Sequence, residues 1–333
     1  MIQDARVLQD DFLPSEVLHR HDEMNRLTTA LEPVVKDDTP QDTLLVGPSG
    51  AGKTCIARYS LTKLNEQLLD VETHYVDCWQ HSKQFRALLK ILEGVQSTHD
   101  IHRSTPYDEM LARLEEIETP YIIILDEVDQ LEEKSLLKEL YAIPEVTMVM
   151  IANQERDVYH ALDERLQSRI RASVTIPFDR YTDDELIQIL DDRVTWGLDP
   201  GVIDDDQLAF IARQADGNAR DAINILQSAA RNAEREGSET ISERDLEFAV
   251  PDARKRLRQK SLDKLNADQR EVYEVLTELG EGSPEEIYHA YTDRVDDPRV
   301  DRTVRRYLKK LVRYNLADVS GRGPNRAYEA LEP

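Results

Sequence analysis

The sequence predicts an α/β fold in which a parallel sheet has helices on both faces, followed by an all-helical segment and a small C-terminal unit. Through the first 180 residues, short apolar runs alternate with helical patterns. This alternation is typical of βαβ units whose strands are buried on both faces. From residue 182 to about residue 250 the patterns are helical only, and the remaining residues read as three helices and a hairpin.

The strands and helices follow in order from these patterns. The five predicted strands are Thr43–Val46, Thr73–Cys78, Tyr121–Leu125, Val146–Ala152 and Ser173–Pro177. The helices predicted between them are Ala51–Leu69, Ser82–Val95, Tyr107–Ile117 and Glu133–Tyr141. In the all-helical segment they are Asp183–Val194, Asp204–Gln214, Ala219–Glu236 and Ser242–Ala249, the first of which begins with a capping-box spacing at Thr182 and Glu185.

Charge is unevenly distributed along this chain of 333 residues, whose formal net charge is -24. Residues 1–250 hold 25 Lys and Arg against 50 Asp and Glu, whereas residues 251–333 hold 17 against 16. Lysine is scarce, with 12 Lys beside 30 Arg. So many carboxylates indicate a cytoplasm of high salt, where screening shortens the range of repulsion. A halophilic source is therefore our hypothesis.

Composition also excludes several classes of protein. No apolar run approaches the roughly eighteen residues of a membrane span, and the N-terminal residues do not resemble a secretion signal. The two cysteines, Cys55 and Cys78, fit no metal-ligand spacing and are expected to be reduced thiols. We therefore expect a cytoplasmic protein without a membrane partner.

The stretch TLLVGPSGAGKT (residues 43–54) places G-x-x-x-x-G-K-T between a predicted strand and a predicted helix. In that setting the glycines let main-chain N–H groups surround phosphate oxygens, and the helix N-terminus favours negative charge. The loop would bind ATP or ADP. Lys53 would reach the β-phosphate and, in ATP, the γ-phosphate, and the Thr54 hydroxyl would bind Mg²⁺. The residues predicted to bind nucleotide here are Gly50, Ala51, Gly52, Lys53, Thr54 and Cys55.

Two further strands end in polar residues. YIIILDEVDQL (residues 121–131) places Asp126 and Glu127 at the end of a buried strand. There Asp126 would hold Mg²⁺ through its water shell, and Glu127 would deprotonate the attacking water. VTMVMIANQ (residues 146–154) ends in Asn153, whose amide would hold that water, although an asparagine after a strand is more often a turn former.

In this order, the three motifs resemble those of the AAA+ ATPases. The segment ERLQSRI (residues 164–170) is similar to the family's arginine-finger box, which implies that Arg169, or as second choice Arg165, acts on nucleotide bound by a neighbouring subunit. The alternative is a surface arginine on an acidic helix. GNARDAI (residues 217–223) resembles the second sensor motif, which implies that Arg220 points at the γ-phosphate.

Other segments resemble archaeal origin-recognition-type replication initiators. LHRHDEMNRL (residues 18–27) resembles their N-terminal box beside the adenine, and FDRYTDDELIQILDDR (residues 178–193) their junction between base and lid. The resemblance implies that Tyr181 and Arg193 contact nucleotide. YVDCWQHSKQFRALLKIL (residues 75–92) resembles the family segment in which an inserted helix can touch DNA.

The resemblance extends from about residue 12 to residue 331 and implies a domain order. We expect an AAA+ base at residues 1–180, a helical lid at 181–250, a connector at 251–264 and a winged-helix DNA-binding domain at 265–333. The family further implies a slow ATPase used as a switch. Its partners would be double-stranded origin DNA, the minichromosome-maintenance helicase and other initiator subunits on DNA.

The last unit has the element order of a winged helix-turn-helix, in which the third helix enters the major groove and the wing contacts DNA beside it. PRVDRTVRRYLKKLVRYNL (residues 298–316) is predicted to bury Val300 with later apolar residues and to expose Lys310 with the other basic residues. Winged helices also serve as protein-docking modules, so that alternative remains. The residues predicted to contact DNA are Arg302, Arg305, Arg306, Lys309, Arg322 and Arg326.

Three other functions compete with a replication initiator. The first is an ATP-binding, DNA-bound regulator, such as a repressor-like paralogue without productive turnover. The second is a Holliday-junction branch-migration motor, whose second phosphate motif normally has His after Asp-Glu-Ile, whereas this chain has Asp-Glu-Val-Asp. The third is a clamp-loader subunit, which would not explain the winged helix.

Overall fold

A computed structural model of the chain describes residues 1–36, 38–68, 70–95, 101–159, 162–321, 323 and 326–332. The chain divides into two compact units, Met1–Leu246 and Glu247–Pro333. The first unit contains the parallel sheet and most of the long helices. The second contains the short C-terminal helices and a small antiparallel sheet.

The sheet of the first unit has five strands in the order β2-β3-β4-β1-β5, and each adjacent pair is parallel. All the strands predicted in this region are present, with ends that differ by no more than one residue. The strands are β1 (Thr43–Val46), β2 (Glu72–Asp77), β3 (Tyr121–Asp126), β4 (Val146–Ala152) and β5 (Val174–Pro177).

Helices cover both faces of this sheet, as predicted. Among the described residues they are α1 (His21–Leu31), α2 (Lys53–Gln67), α3 (Gln84–Leu92), α4 (Tyr107–Glu115), α5 (Ser135–Leu140), α6 (Glu155–Tyr159) and α7 (Glu164–Arg171), with 3₁₀ turns at Glu32–Lys36 and Val128–Gln130. The predicted end of α2, Leu69, lies outside the described residues, and the helix ends at Gln67.

Alternate strand residues face opposite sides of the sheet. Ile123 and Leu125 belong to the buried cluster on one side, together with apolar residues of α3, α4 and α5. Ile122 and Ile124 belong to the cluster on the other side, with residues of α1 and α2. Because both faces are covered, β3 is apolar at consecutive positions rather than alternating ones.

Four helices follow the sheet: α8 (Asp183–Gly197), α9 (Asp205–Ala215), α10 (Ala219–Glu236) and α11 (Glu243–Asp263). The capping box predicted at the start of α8 is present. The Thr182 side chain accepts a hydrogen bond from the Glu185 N–H, and the Glu185 side chain accepts one from the Thr182 N–H. Helix α11 continues beyond the predicted end at Ala249 and through Pro251. Proline removes one main-chain donor there, but the residues that follow are good helix formers.

The second unit contains α12 (Ala267–Leu279), β6 (Glu281–Gly282), α13 (Pro284–Arg294), α14 (Asp301–Arg313), β7 (Ala317–Ser320) and β8 (Ala327–Ala330). The predicted three helices and hairpin are therefore present. A further short strand, β6, pairs with β8 to complete a sheet of order β6-β8-β7. Its two residues are too few to show a strand pattern in the sequence.

Helix α14 corrects two details of the sequence prediction. It buries Val304, Tyr307, Leu308 and Leu311. Val300 is 66% exposed, because it is the N-cap residue and lies before the first turn. Lys310 is 8% exposed, since it follows Tyr307 by three residues and borders the buried stripe, where the aliphatic part of a lysine can pack.

Candidate nucleotide site

The loop between β1 and α2 has the conformation that a phosphate-binding loop requires. Gly50 and Gly52 have φ values of +75° and +94°, in the region that favours glycine. A Cβ atom on Gly52 would lie 2.5 Å from the Tyr181 hydroxyl, and one on Gly50 would lie 1.7 Å from the Asn218 side-chain oxygen. Glycine at these two positions therefore allows Tyr181 and Asn218 to lie against the loop, where a side chain would collide with them.

Lys53 is the first residue of α2, and its ammonium group turns back toward this loop. Nζ donates to the carbonyl oxygens of Gly47 at 2.6 Å and Pro48 at 2.7 Å, and to Oδ1 of Asn153 at 3.3 Å. The side chain is only 6% exposed, and burial lowers the pKa of Lys53 to about 8, although the charge of Asp126 acts in the opposite direction. The structure thus brings Lys53 and Asn153 together, and their roles toward phosphate and water stay predictions.

Asp126 ends β3 and is buried. One carboxylate oxygen, Oδ2, accepts hydrogen bonds from the Thr54 hydroxyl at 2.8 Å and the Tyr75 hydroxyl at 2.9 Å. The other, Oδ1, accepts from the main-chain N–H of Glu127 at 2.9 Å. The two residues predicted to hold Mg²⁺, Thr54 and Asp126, are therefore in direct contact.

Glu127 has φ +53°, one of four non-glycine residues with positive φ in the described part of the chain. A left-handed backbone is uncommon for glutamate, and such positions concentrate at functional sites. Here it turns the chain sharply from β3 into the 3₁₀ turn that begins at Val128. The turn keeps Glu127 at the carboxyl end of the sheet.

The strand order explains why these residues meet. Strand β4 lies between β3 and β1, so Asp126 at the end of β3 and Asn153 just after β4 lie at the ends of adjacent parallel strands. The phosphate loop follows β1, the next strand in the sheet. Ligands of open α/β sheets bind outside the carboxyl ends of the strands, and all three motifs lie at that edge.

Helix α10 brings the second sensor motif to the same loop. Its N-cap residue, Asn218, accepts from the Asp221 N–H, and the Ala219 N–H donates to Gly50 O at 3.1 Å. Arg220 has its Nε atom 3.7 Å from Oδ2 of Asp10, and its charge contributes to lowering the pKa of Lys53. Arg220 therefore lies near the phosphate loop, and its contact with the γ-phosphate stays a prediction.

A buried arginine that our sequence interpretation did not single out joins three parts of this site. Arg20 donates to Ala51 O in the phosphate loop at 3.1 Å and to Asp179 O at 2.7 Å. Its guanidinium carbon lies 3.9 Å from the centroid of the Tyr181 ring. Burial raises the pKa of Tyr181 to about 12, while the charge of Arg20 opposes the shift. Arg20 stands within LHRHDEMNRL, but nothing in its local pattern distinguishes it from a surface arginine.

Arg193 and Cys55 lie on the side of the site toward the N-terminal segment. Arg193 donates to Val7 O at 2.8 Å and Phe12 O at 3.2 Å, and its guanidinium carbon lies 4.9 Å from the Phe12 ring centroid. Burial raises the pKa of Cys55, and the charge of Arg193 partly offsets this shift. Arg193 thus binds main-chain carbonyls of this segment, and its contact with nucleotide stays a prediction.

The two candidate finger residues lie on α7. Arg169 is partly exposed, and its guanidinium carbon lies 4.6 Å from the centroid of the Tyr141 ring. Arg165, one turn earlier, is exposed. A residue that acts on a neighbouring subunit must be exposed. Both candidates meet this condition, and Arg165 is more exposed than Arg169.

In the second unit, the predicted DNA-contacting residues of α14 are exposed: Arg302, Arg305, Arg306 and Lys309. Arg305 donates to Oδ2 of Asp301 at 2.7 Å, so part of its charge is neutralised locally. Arg326 precedes β8 and is half-buried, and Arg322 lies outside the described residues.

No group of three or more His, Cys, Asp and Glu side chains in the described part of the chain could hold a metal ion. No helix among those residues is both long and apolar enough to cross a membrane.

Comparison with known proteins defines first the class of this protein. Residues 36–162 match the family model described as an AAA domain, and residues 187–250 match the Cdc6 AAA+ ATPase-type lid domain. Together these models cover the phosphate loop, the acidic strand end and the sensor helix. The chain is therefore an ATPase-type protein of the AAA+ class, with a nucleotide-binding fold.

Full-length relatives define the family within that class. ORC1-type DNA replication protein 9 of Halobacterium salinarum is 45% identical over 100% of this chain and 94% of its own length. ORC1-type DNA replication protein 1 of the same organism is 46% identical over 92% of this chain and 100% of its own length. This chain belongs to the ORC1/Cdc6-type family of DNA replication proteins, and relatives from Halobacterium agree with its halophilic composition.

Solved structures agree with this assignment. The Aeropyrum pernix ORC1 protein in complex with DNA matches with a TM-score of 0.77 and 26% identity, over 98% of this chain and 92% of that one. The Aeropyrum pernix ORC2 protein, solved as ADPNP and ADP complexes, matches with a TM-score of 0.68 and 20% identity, over 99% of this chain and 94% of that one. The second match supports the fold alone.

Proposed function

We propose that this protein is an ATP-regulated replication initiator that binds double-stranded origin DNA and helps to load the minichromosome-maintenance helicase. One observation carries the proposal. In a chain that aligns along its whole length with an ORC1-type replication protein, Lys53 meets Asn153 and Thr54 meets Asp126 at one edge of the sheet. That arrangement supports a working nucleotide switch.

The phosphate loop would bind ATP or ADP. Main-chain N–H groups of residues 50–55 would surround the phosphates, and Lys53 would exchange its carbonyl acceptors for phosphate oxygens. Thr54 and Asp126 would hold Mg²⁺, which when bound neutralises negative charge on the phosphates. The Thr54 hydroxyl donates its hydrogen bond to Asp126, so the lone pairs of the Thr54 oxygen remain available to bind a cation.

Hydrolysis would depend on the residues at the two strand ends. Glu127 would accept the proton of the attacking water on a carboxylate oxygen, and Asn153 would hold that water through its amide. Lys53 is hydrogen-bonded to Asn153 and would also contact the phosphates, so it would hold the Asn153 amide close to them. We expect slow turnover, so that the bound nucleotide sets the state of the protein.

Arginines from other elements would complete the response to nucleotide. Arg220 would contact the γ-phosphate from the start of α10, and Arg169 would act on nucleotide held by an adjoining subunit. Tyr181 and Arg193 would contact the nucleotide from the junction and from α8. Asp10 would release Arg220 as the arginine turns toward phosphate.

The second unit would bind DNA as a winged-helix domain. Its α14 presents exposed cations, while residues 1–250 carry twice as many acidic as basic side chains and repel phosphate. The related ORC1 protein of Aeropyrum pernix was solved in complex with DNA. Arg302, Arg306 and Lys309 on the helix, with Arg322 and Arg326 in the wing, would contact DNA.

A genome-wide binding map tests the proposal. Crosslinking and immunoprecipitation of the protein from its own cells should recover replication origins, located independently by marker-frequency profiles. A Lys53→Ala variant expressed at the same level serves as the control for nucleotide dependence, together with the occupancy of helicase at the same sites. Binding confined to promoters, without effect on helicase occupancy, would overturn the proposal and favour the repressor-like alternative.

A further inference from the structure

Tyr75 begins the segment YVDCWQHSKQFRALLKIL (residues 75–92) but is not among the candidate site residues named above. It nevertheless touches Asp126, the acidic residue at the centre of the candidate site. It lies on β2, the strand at the edge of the sheet beside β3. In the register of these two strands Tyr75 is opposite Ile124, and Asp77 is opposite Asp126. Its hydroxyl oxygen lies 2.9 Å from Oδ2 of Asp126.

The direction of this hydrogen bond is defined by chemistry. An ionised carboxylate can only accept, so the phenol donates. A phenol has an ordinary pKa of about 10, so Tyr75 keeps its proton near neutral pH and donates to Asp126.

Donors from three directions orient the Asp126 carboxylate. Thr54 and Tyr75 share Oδ2, at 2.8 and 2.9 Å, and the Glu127 N–H occupies a position on Oδ1 at 2.9 Å. Two of these donors also belong to other parts of the proposed site. Thr54 is a candidate cation ligand, and the Glu127 N–H belongs to the turn that carries the candidate base. Tyr75 has no role in the site other than this contact.

We infer that Tyr75 is a positioning residue, which holds the Asp126 carboxylate in the orientation that binds Mg²⁺ and so sets the affinity of the site for the cation. The inference rests on the proposed nucleotide site. Hydrogen-bond partners of metal-binding carboxylates act in this way in other proteins, where their removal costs about 10–100-fold in metal affinity or activity. The contact joins β2, at the edge of the sheet, to β3. No spacing of residues within the sequence predicts it.

Tyr75→Phe tests the inference, since it removes one oxygen and keeps the ring that lies 5.6 Å from the Arg58 guanidinium carbon. Binding of a fluorescent ADP analogue is titrated with MgCl₂ at constant high KCl. We expect the Mg²⁺ concentration at half-maximal enhancement of binding to rise about tenfold or more. The affinity measured without Mg²⁺ should not change, because the phosphate loop is intact.

Tyr59→Phe is the matched control, because the Tyr59 hydroxyl donates to Ser15 O at 3.3 Å and makes no contact with Asp126. It should leave the Mg²⁺ titration at the parental midpoint. Asp126→Asn provides the second comparison and should raise the midpoint by itself. Adding Tyr75→Phe to Asp126→Asn should then change little, since the two residues act through one contact.

The outcomes separate this inference from the function on which it rests. A shifted midpoint for Asp126→Asn with a parental midpoint for Tyr75→Phe overturns the role of Tyr75 and leaves the proposed site standing. Unchanged Mg²⁺ dependence for Asp126→Asn overturns both. Weaker binding of Tyr75→Phe without Mg²⁺, or additive effects in the double variant, would show a merely structural residue and overturn the inference.

Discussion

Lys53 is buried among main-chain carbonyls and an asparagine amide, so its charge is held beside the phosphate loop. We expect Lys53→Ala to abolish detectable nucleotide binding, because charge-assisted bonds to the phosphates are lost. Isothermal titration with ATP and ADP measures this directly. Lys63→Ala, on the same helix but paired with Glu66 at the surface, is the control. Parental affinity in Lys53→Ala would refute the assignment of the loop.

Glu127 has the position and the left-handed backbone of a specialised residue, and we propose it as the general base. Glu127→Gln should bind ATP as the parent does and hydrolyse it about 10²–10⁴-fold more slowly, because an amide cannot accept the proton of water. Single-turnover hydrolysis of ATP bound in advance separates the two properties. Asp129→Asn, in the same acidic turn, should retain the parental rate. Parental turnover in Glu127→Gln would exclude the residue as base.

Asp42 immediately precedes β1, and its Oδ1 accepts from the Met148 N–H at 2.7 Å. Burial raises the pKa of Asp42 to about 6, above the value of an unfolded aspartate. The stability that this carboxyl contributes is therefore present below about pH 4 and is lost as the pH rises through about 6. Asp42→Asn keeps the acceptor without the charge, so it should stabilise the protein at about pH 7.5 by roughly 1–3 kcal/mol.

Denaturant unfolding in high KCl measures the effect of Asp42→Asn. The difference between variant and parent should shrink as the pH is lowered toward about 5. Asp38→Asn, at an exposed position in the same loop, should show no such trend. A variant that is less stable than the parent at neutral pH would show that the charge of Asp42 is needed.

At the scale of single elements, α14 is the helix on which DNA binding should depend. Arg302→Ala with Arg306→Ala should weaken binding to all sequences and flatten the slope of log affinity against log salt by roughly 1–2, since each phosphate contact contributes about 0.9. Fluorescence anisotropy over a series of KCl concentrations gives both quantities. If one arginine reads a base, its loss should instead cost about 1–3 kcal/mol at one position.

Arg299→Ala is the control for α14, because it removes an equal charge that Asp268 already pairs at 2.8 Å. Its salt slope should stay close to that of the parent. If the double variant keeps parental affinity and slope, α14 does not grip DNA. The second unit would then be better interpreted as a protein-docking module.

At the scale of the whole molecule, we expect the excess of 66 Asp and Glu over 42 Lys and Arg to make stability depend on salt. Lowering KCl from about 1 M to about 0.1 M lengthens the screening distance from about 3 Å to about 10 Å, so carboxylates repel over a longer range. We expect a loss of a few kcal/mol, or roughly 5–15 °C in unfolding temperature. Circular dichroism measures the unfolding temperature, and glycerol serves as the uncharged control. An unfolding temperature that does not change with KCl would refute halophilic adaptation.

Sequence alone determined the parts of this protein whose cause is local. Apolar runs predicted every strand of the parallel sheet, because burial on both faces leaves a continuous signal. Capping residues predicted where α8 begins, since a cap bonds main chain only three residues away. The phosphate loop and the acidic strand end could be recognised because their chemistry requires fixed residue types at fixed spacing.

Only the tertiary structure decided which distant residues meet. Arg20 reaches Ala51 and Tyr181 because the chain folds α1 against the phosphate loop, and Tyr75 reaches Asp126 because the sheet order places β2 beside β3. Lys310 is buried although its residue type indicates exposure. Hydrophobic and capping patterns report on neighbours along the chain, whereas these contacts depend on how separate elements pack, and no single segment contains that information.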